Sequence, residues 1–206
     1  MARVSQEHLD ARRRQILDGA ALCFARNGFH ATSMQDVLKE VGLSAGAVYR
    51  YFAGKDELIT AIVSEVLTDI KGIFDVVARQ SPPPPPDVLL GHVVARVLDL
   101  RPGMRVEGTS YFPRLMVQVW TETLRNDELA ALMARIYADV RAAWVKVVEA
   151  YQEAGMMRAD VPADHVARTM IAVVQGFAAQ YALFEGVRVE ALQEGLGALL
   201  GMAEPS

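Results

Sequence analysis

The chain has 206 residues, 52% of them hydrophobic, with 21 basic and 25 acidic side chains for a formal charge of −4. That length and apolar content give a sizeable core and exclude a disordered chain or a mucin-like stalk. The single cysteine, Cys23, excludes an internal disulfide framework and a Cys-rich zinc module.

No signal peptide is expected, because MARVSQEHLDARRRQ has basic residues with no apolar stretch behind them. The longest uncharged stretch, residues 169–184, has 16 residues including Gln175 and Gln180, short of the ~20 that cross a bilayer. It predicts a helix buried between protein surfaces, and the expected compartment is the cytoplasm, with no membrane partner.

Taken in order, the first element is a helix from about Leu9, with Ile16, Leu17, Ala20, Ala21 and Phe24 at helical spacing and Asn27-Gly28 as a left-handed cap. A short second helix opens at Thr32, where Thr32-Ser33-Met34-Gln35 has capping-box spacing. It turns Val37, Leu38 and Val41 inward and stops at Gly42. Ser44 caps a third short helix through about Phe52, and Ala53-Gly54 breaks it. From Lys55 to about Arg79 runs a long helix with Leu58, Ile59, Ile62, Val66, Ile70, Phe74 and Val77 on one stripe. Prolines 82–86 cannot be helical and predict a stiff connector of ~15 Å.

Beyond it come a helix over 87–100, a loop through Arg101-Pro102-Gly103, and a helix over 111–124. Asn126 caps a long helix that turns Leu129, Leu132, Met133, Ile136, Tyr137, Val140, Trp144, Val147, Val148 and Tyr151 inward. Pro162 starts the uncharged helix, which ends near Gly186, and residues 189–202 form the last. Nothing reads as a strand. The expected fold is all-α with about nine helices: a three-helix head over 1–54, then a body over 55–206 that opens with the 55–79 connector and a Pro-rich spacer at 81–86.

Charge is uneven along this plan. Residues 1–55 hold eight basic and five acidic groups, +3, leaving 13 basic and 20 acidic for the rest, −7. A basic head on an acidic body suits a polyanion-binding module whose body avoids the polyanion. Arg12-Arg13-Arg14 fits equally a phosphate contact and a solvated helix face.

The head is where chemistry is legible. Three helices with a sharp Gly42-Leu43-Ser44 turn between the second and third describe a helix-turn-helix. Val48 and Phe52, at i and i+4, would pin the third helix against Val37 and Val41, leaving Ala45, Gly46, Ala47, Tyr49 and Arg50 near or on the outside. Small residues at its start let the tip enter a major groove, where base edges are read.

These residues resemble the tetracycline-repressor-like (TetR) transcriptional regulators. The match comprises Gly28-Phe29, the run from Thr32 to Val37, the run from Gly42 to Phe52, and Lys55-Asp56-Glu57-Leu58. It covers roughly residues 10–60; the remainder agrees in being helical and of suitable length. The resemblance implies that Thr32 and Ser33 bind phosphate at the start of the second helix and that Gln35 reaches a base edge. It places Ala45, Gly46 and Ala47 against bases, Tyr49 and Tyr51 on phosphates or thymine methyls, and Lys55 on phosphate. Ser44 and Arg50 complete the DNA-facing set. The family often has a longer polar residue where Ala45 stands and a small one where Leu38 stands; the first departure bears on hydrogen-bond readout by the third helix.

The implied partners are a palindromic or near-palindromic double-stranded operator, a second copy of the chain and a small, largely apolar effector. Ala172, Gly176, Ala179 and Leu183 make a narrow face of mostly small residues, while Val166, Met170, Val173, Phe177, Tyr181 and Phe184 point to the protomer's own core. With Leu192, Leu196 and Leu199 of the last helix, the small face would form a four-helix dimer seam. Met116, Trp120, Met133, Tyr137, Trp144, Phe177 and Tyr181 are compatible with a ligand pocket or with plain core, and His92 and Gln175 are candidate polar anchors.

Catalytic signatures are missing from the sequence. The four histidines have no metal-ligand spacing, and no nucleophile elbow, P-loop or paired-carboxylate motif occurs. No metal or cofactor is expected, and Cys23, beside Phe24 on the inner side of the first helix, reads as a buried inert thiol. The expected function is a ligand-responsive repressor. A protein-binding adaptor and a helical enzyme with a vestigial head remain open beside it.

Overall fold

In the computed structural model, which describes residues 6–77 and 84–201, the chain forms nine α-helices among the described residues: α1 Gln6–Asn27, α2 Met34–Val41, α3 Ala45–Tyr49, α4 Lys55–Val77, α5 Pro86–Leu98, α6 Phe112–Glu122, α7 Asp127–Glu153, α8 Ala163–Leu183 and α9 Val189–Leu200. The all-α class and the helix order are as the sequence predicts. Residues 1–66 with 101–129 form one compact unit, and residues 67–100 with 130–206 another. The division between these units falls inside α4 and near the start of α7.

In the first unit α1 is the central element, packed against α2 and α6. It buries Ile16, Leu17, Ala20, Ala21 and Phe24 and ends at Gly28, whose φ of +84° is the left-handed cap the Asn27-Gly28 pair predicts. α1 and α2 approach at Gly19, where a Cβ would lie 2.4 Å from Val41 Cγ1. Near the C-terminal end of α1 the Arg26 guanidinium lies 5.5 Å from the ring centroid of Tyr111, which precedes α6, and His30 Nε2 is 3.1 Å from a Glu122 carboxylate oxygen.

One small hairpin departs from the expectation of no strands. β1 (Arg105–Val106) pairs antiparallel with β2 (Thr109–Ser110) across Glu107-Gly108, which have φ of +49° and +83°. Positive φ at both turn residues is the hairpin geometry that matches strand twist. Two-residue strands are too short to leave a periodic signal.

In the second unit α5 packs on α8 and α9. Val94, Leu98 and Phe177 form a buried cluster, with Val174, Tyr181, Val187, Val189 and Leu192 against it. Gly91 and Gly197 let α5 and α9 approach: a Cβ would sit 3.1 Å from Gln193 Oε1 at the first and 3.3 Å from Asp87 Oδ2 at the second. Within α7, Trp144, Val147, Val148 and Tyr151 are buried, while Leu132, Met133, Ile136, Tyr137 and Val140 are only half-buried. The Tyr151 hydroxyl donates to the Pro84 carbonyl, and burial, then nearby Asp87, raises its pKa.

Several sequence expectations shift here. Pro86 is helical after all, as the first residue of α5, where a missing N–H costs nothing. Pro82, Arg79 and Met202 lie outside the described residues, as do the side chains of Ile70, Phe74 and Val77. Phe184, assigned to the protomer core, falls just beyond α8 and is 64% exposed. Its helix has ended, so the helical spacing that placed it inside no longer applies.

Candidate nucleic-acid interface

The N-terminus of α2 is built by Ser33, not Thr32. Ser33 is extended (φ −94°, ψ 163°), its Oγ accepts from the Asp36 N–H at 3.2 Å, and its own N–H donates to Asp36 Oδ2 at 2.8 Å. The capping box is thus one residue later than the Thr32…Gln35 reading, with Asp36 as the reciprocal partner. Hydrogen bonds from the Ser33 side chain and backbone hold the exposed Asp36 carboxyl below its ordinary value. A carboxylate already sits where the helix end favours an anion.

Thr32 is corrected outright. It is 1% exposed, and its hydroxyl donates to the Gly28 carbonyl at 2.7 Å, so its side chain is not available to a phosphate. Ser33 and Gln35 are exposed. Lys55 also differs from the surface clamp the resemblance implies. Half-buried, it donates from Nζ to the Phe29 carbonyl at 3.0 Å and to the Thr32 carbonyl at 3.4 Å, holding the α1–α2 loop from the start of α4.

Gly42 ends α2 at φ +65°, with its N–H on the Leu38 carbonyl, and the chain reverses into α3. Ser44 is the extended N-cap of α3, accepting from the Ala47 N–H at 3.4 Å. Five residues are far fewer than the ~12–15 an isolated helix needs in water, so packing must hold α3. Val48 at 0% and Phe52 at 2% supply it, beside buried Val37 and Val41. Each such burial is worth ~1.5–3 kcal/mol, more than the cap. The helix stops at Tyr49 rather than near Phe52, as the chain tightens through Arg50 and Tyr51.

Its other side faces outward. Ser44, Ala45, Gly46, Tyr49 and Arg50 are exposed, and Ala47 and Tyr51 half-buried. No neighbour lies within 4 Å of where a Cβ on Gly46 would stand, so packing does not demand glycine there. The head's basic surplus is partly spent internally: Arg13 pairs with Glu65, and Arg26 with Glu40 at 3.4 Å. Arg14, Lys39 and Arg50 are exposed cations.

The remaining candidates divide by unit. Met116 and Trp120, both half-buried, are on α6 in the first unit; Met133, Tyr137, Trp144, Phe177 and Tyr181 belong to the second. There the Phe177 and Tyr181 ring centroids are 6.2 Å apart. His92 is exposed on α5, so it does not face the core as an anchor would; Gln175 is half-buried. On the small-residue face of α8, Ala172, Gly176 and Leu183 are exposed and Ala179 half-buried; Leu199 is exposed and Leu196 half-buried on α9. Leu192, half-buried on α9, packs on Val94, Leu98 and Phe177 of its own protomer.

Cys23 is buried, with its thiol 3.7 Å from the Asp36 carbonyl, and its pKa is pushed up to about 11, chiefly by burial and secondarily by Glu40 and Asp36. Such a thiol carries little thiolate at neutral pH. Among the described residues no cluster of His, Cys, Asp and Glu could hold a metal ion, and no helix is long and apolar enough to cross a membrane.

The site therefore belongs to a helix-turn-helix DNA-binding protein with an all-helical second part. Residues 16–62 match the family described as bacterial regulatory proteins, tetR family, and residues 105–202 match the C-terminal part of BetI-type transcriptional repressors. The chain is 31% identical over 184 residues to the HTH-type transcriptional repressor Rv1474c of Mycobacterium tuberculosis, a span covering 88% of each chain. Among solved structures it is similar to Salmonella enterica GusR (25% identity, TM-score 0.68, 98% of this chain and 100% of the other). It shares its fold with a regulator from Saccharomonospora viridis crystallised with choline (23% identity, TM-score 0.69, 93% of this chain and 96% of the other). The chain belongs to the tetR family of bacterial regulatory proteins, and it is a DNA-binding transcriptional repressor.

Proposed function

We propose that the protein binds a palindromic or near-palindromic operator as a homodimer in the cytoplasm and is released by a small, largely apolar molecule. The sidedness of α3 carries the DNA part: Val48 and Phe52 are buried, while Ala45, Gly46, Tyr49 and Arg50 face out. The contact set is Ser33, Gln35, Ser44, Ala45, Gly46, Ala47, Tyr49, Arg50 and Tyr51, with Lys55 acting through the loop it holds. Thr32 supports that loop from within.

A five-residue helix reads only a few base pairs, and two-fold pairing doubles the reading if the two tips enter major grooves about 34–36 Å apart. Exposed apolar side chains at the ends of α8 and α9 support pairing there: Leu183 and Phe184 are each 64% exposed, Leu199 67% and Leu200 58%. In the second unit, Met133, Tyr137, Trp144, Phe177 and Tyr181, with Gln175 as the polar group, form the proposed effector set. An effector that binds better to a dimer with its tips at another spacing weakens operator binding by that difference in affinity.

Selection from a random duplex pool, followed by footprinting, tests the DNA reading. A single protected inverted repeat, with affinity falling steeply as salt rises, is the expected result. An adaptor or an enzyme would enrich no sequence. Choline is a reasonable first effector probe, since its methylated cation suits aromatic faces, read by quenching of tryptophan emission and loss of the footprint.

A further inference from the structure

Arg101 lies outside the helix-turn-helix, yet it is the point at which the elements carrying that motif are tied together. Its guanidinium is nearly buried, with side-chain exposure of 8%. One terminal nitrogen is 3.2 Å from Asp18 Oδ1 on α1 and the other 3.0 Å from Glu65 Oε2 on α4. The second oxygen of Glu65 pairs with Arg13, whose guanidinium carbon sits 5.4 Å from the centroid of the Phe52 ring. Phe52 is one of the two side chains that seat α3. An unbroken series of contacts thus runs from Arg101 through Glu65 and Arg13 to the base of the recognition helix.

The four charges balance: two carboxylates and two guanidinium groups. Without Arg101, Asp18 and Glu65 would each lose a cation, Glu65 keeping its pair with Arg13. A buried ion pair is weak evidence for stability, because desolvation offsets most of its attraction, but the planar fork of arginine holds two carboxylates in a fixed geometry. Gly103 closes the arrangement from the other side, since a Cβ there would fall 2.9 Å from Asp18 Oδ2 and press the carboxylate out of place.

The position along the chain adds a second reason. The first compact unit ends its first segment at Val66 and resumes at Arg101. Glu65 and Arg101 therefore stand at the two places where the chain leaves and re-enters that unit, and the guanidinium bonds one crossing to the other and both to α1. We propose that Arg101 is a positioning residue for operator binding: it fixes α4 against α1, and so the seat of α3, without touching DNA. This rests on the DNA reading above and adds a residue outside the motif.

The test uses the full-length protein, the operator recovered from the pool, an unrelated duplex of equal length, and the variants Arg101→Met, Arg101→Lys and Gly103→Ala. Arg101→Met is expected to weaken operator binding about tenfold, in the range of coupling between sites. Its affinity for the unrelated duplex should stay within about twofold and its salt slope should not move, because no phosphate contact is lost. Lysine should recover part of the loss, and Gly103→Ala should reproduce it by displacing Asp18. Amide hydrogen exchange without DNA should be faster in α1 and the first half of α4, and unchanged in α8 and α9. A folded methionine variant with unaltered operator affinity overturns the proposal, as does an equal loss on both duplexes. If methionine does not fold, a folded lysine variant indistinguishable from the parent does the same. If no operator can be selected, the DNA reading fails on its own, and unaltered exchange in α1 and α4 then decides against Arg101 separately.

Discussion

The Lys55 ammonium donates to the carbonyl of Phe29, 26 positions earlier in the chain, at 3.0 Å. A residue whose place in the motif suggests a phosphate clamp thus braces the loop between α1 and α2. Lys55→Met should cost ~1.5–3 kcal/mol, as expected for losing a hydrogen bond to a charged group, and lower the thermal midpoint. The salt slope of operator binding should be unchanged. A slope reduced by about one unit would instead put Lys55 directly on a phosphate.

Ser33→Ala removes the N-cap of α2 and should destabilise the protein by ~1 kcal/mol in urea unfolding near neutral pH. The effect depends on pH with a definite sign. The folded Asp36 carboxyl lies below its ordinary 3.8 because of its hydrogen bonds from Ser33. Their contribution is complete above 3.8 and fades as pH drops through the lowered folded value. The stability gap between parent and variant should therefore narrow in acid; a gap that widens there would contradict the capping box.

Tyr49 is 49% exposed on α3. Tyr49→Ala should weaken operator binding by on the order of tenfold, within the ~1–3 kcal/mol typical of a base contact. Calorimetry should show nearly the parental midpoint. A large loss of stability would make Tyr49 structural.

Leu183 and Leu199 are 64% and 67% exposed in the single chain. Replacing both with Glu should convert a dimer to a monomer in sedimentation at micromolar concentration and abolish footprinting while preserving helical content. Burying two uncompensated carboxylates per protomer in an apolar seam is too costly to tolerate. A persistent dimer would place the seam elsewhere.

Gly19→Ala should separate α1 from α2, since its Cβ would meet Val41 Cγ1 at 2.4 Å. A cost of ~1–3 kcal/mol is expected from overpacking, read as a lower urea midpoint. An unchanged midpoint would show that Val41 can turn aside.

What the sequence determined by itself was local: where most helices run and where they end. Apolar spacing set the helices, Gly28 and Gly42 marked ends that φ of +84° and +65° now explain, and Val48 with Phe52 fixed which side of α3 faces in. Those signals act over a few residues, within one helical turn or one cap, so they can be read along the chain. Long-range matters were decided by tertiary structure alone. Lys55 is drawn to Phe29, 26 positions earlier, and Arg101 finds Asp18 83 positions away. Leu192 packs on the cluster that holds Phe177 for the same reason. A side chain's partner depends on which elements fold beside it, and composition and periodicity hold no record of that.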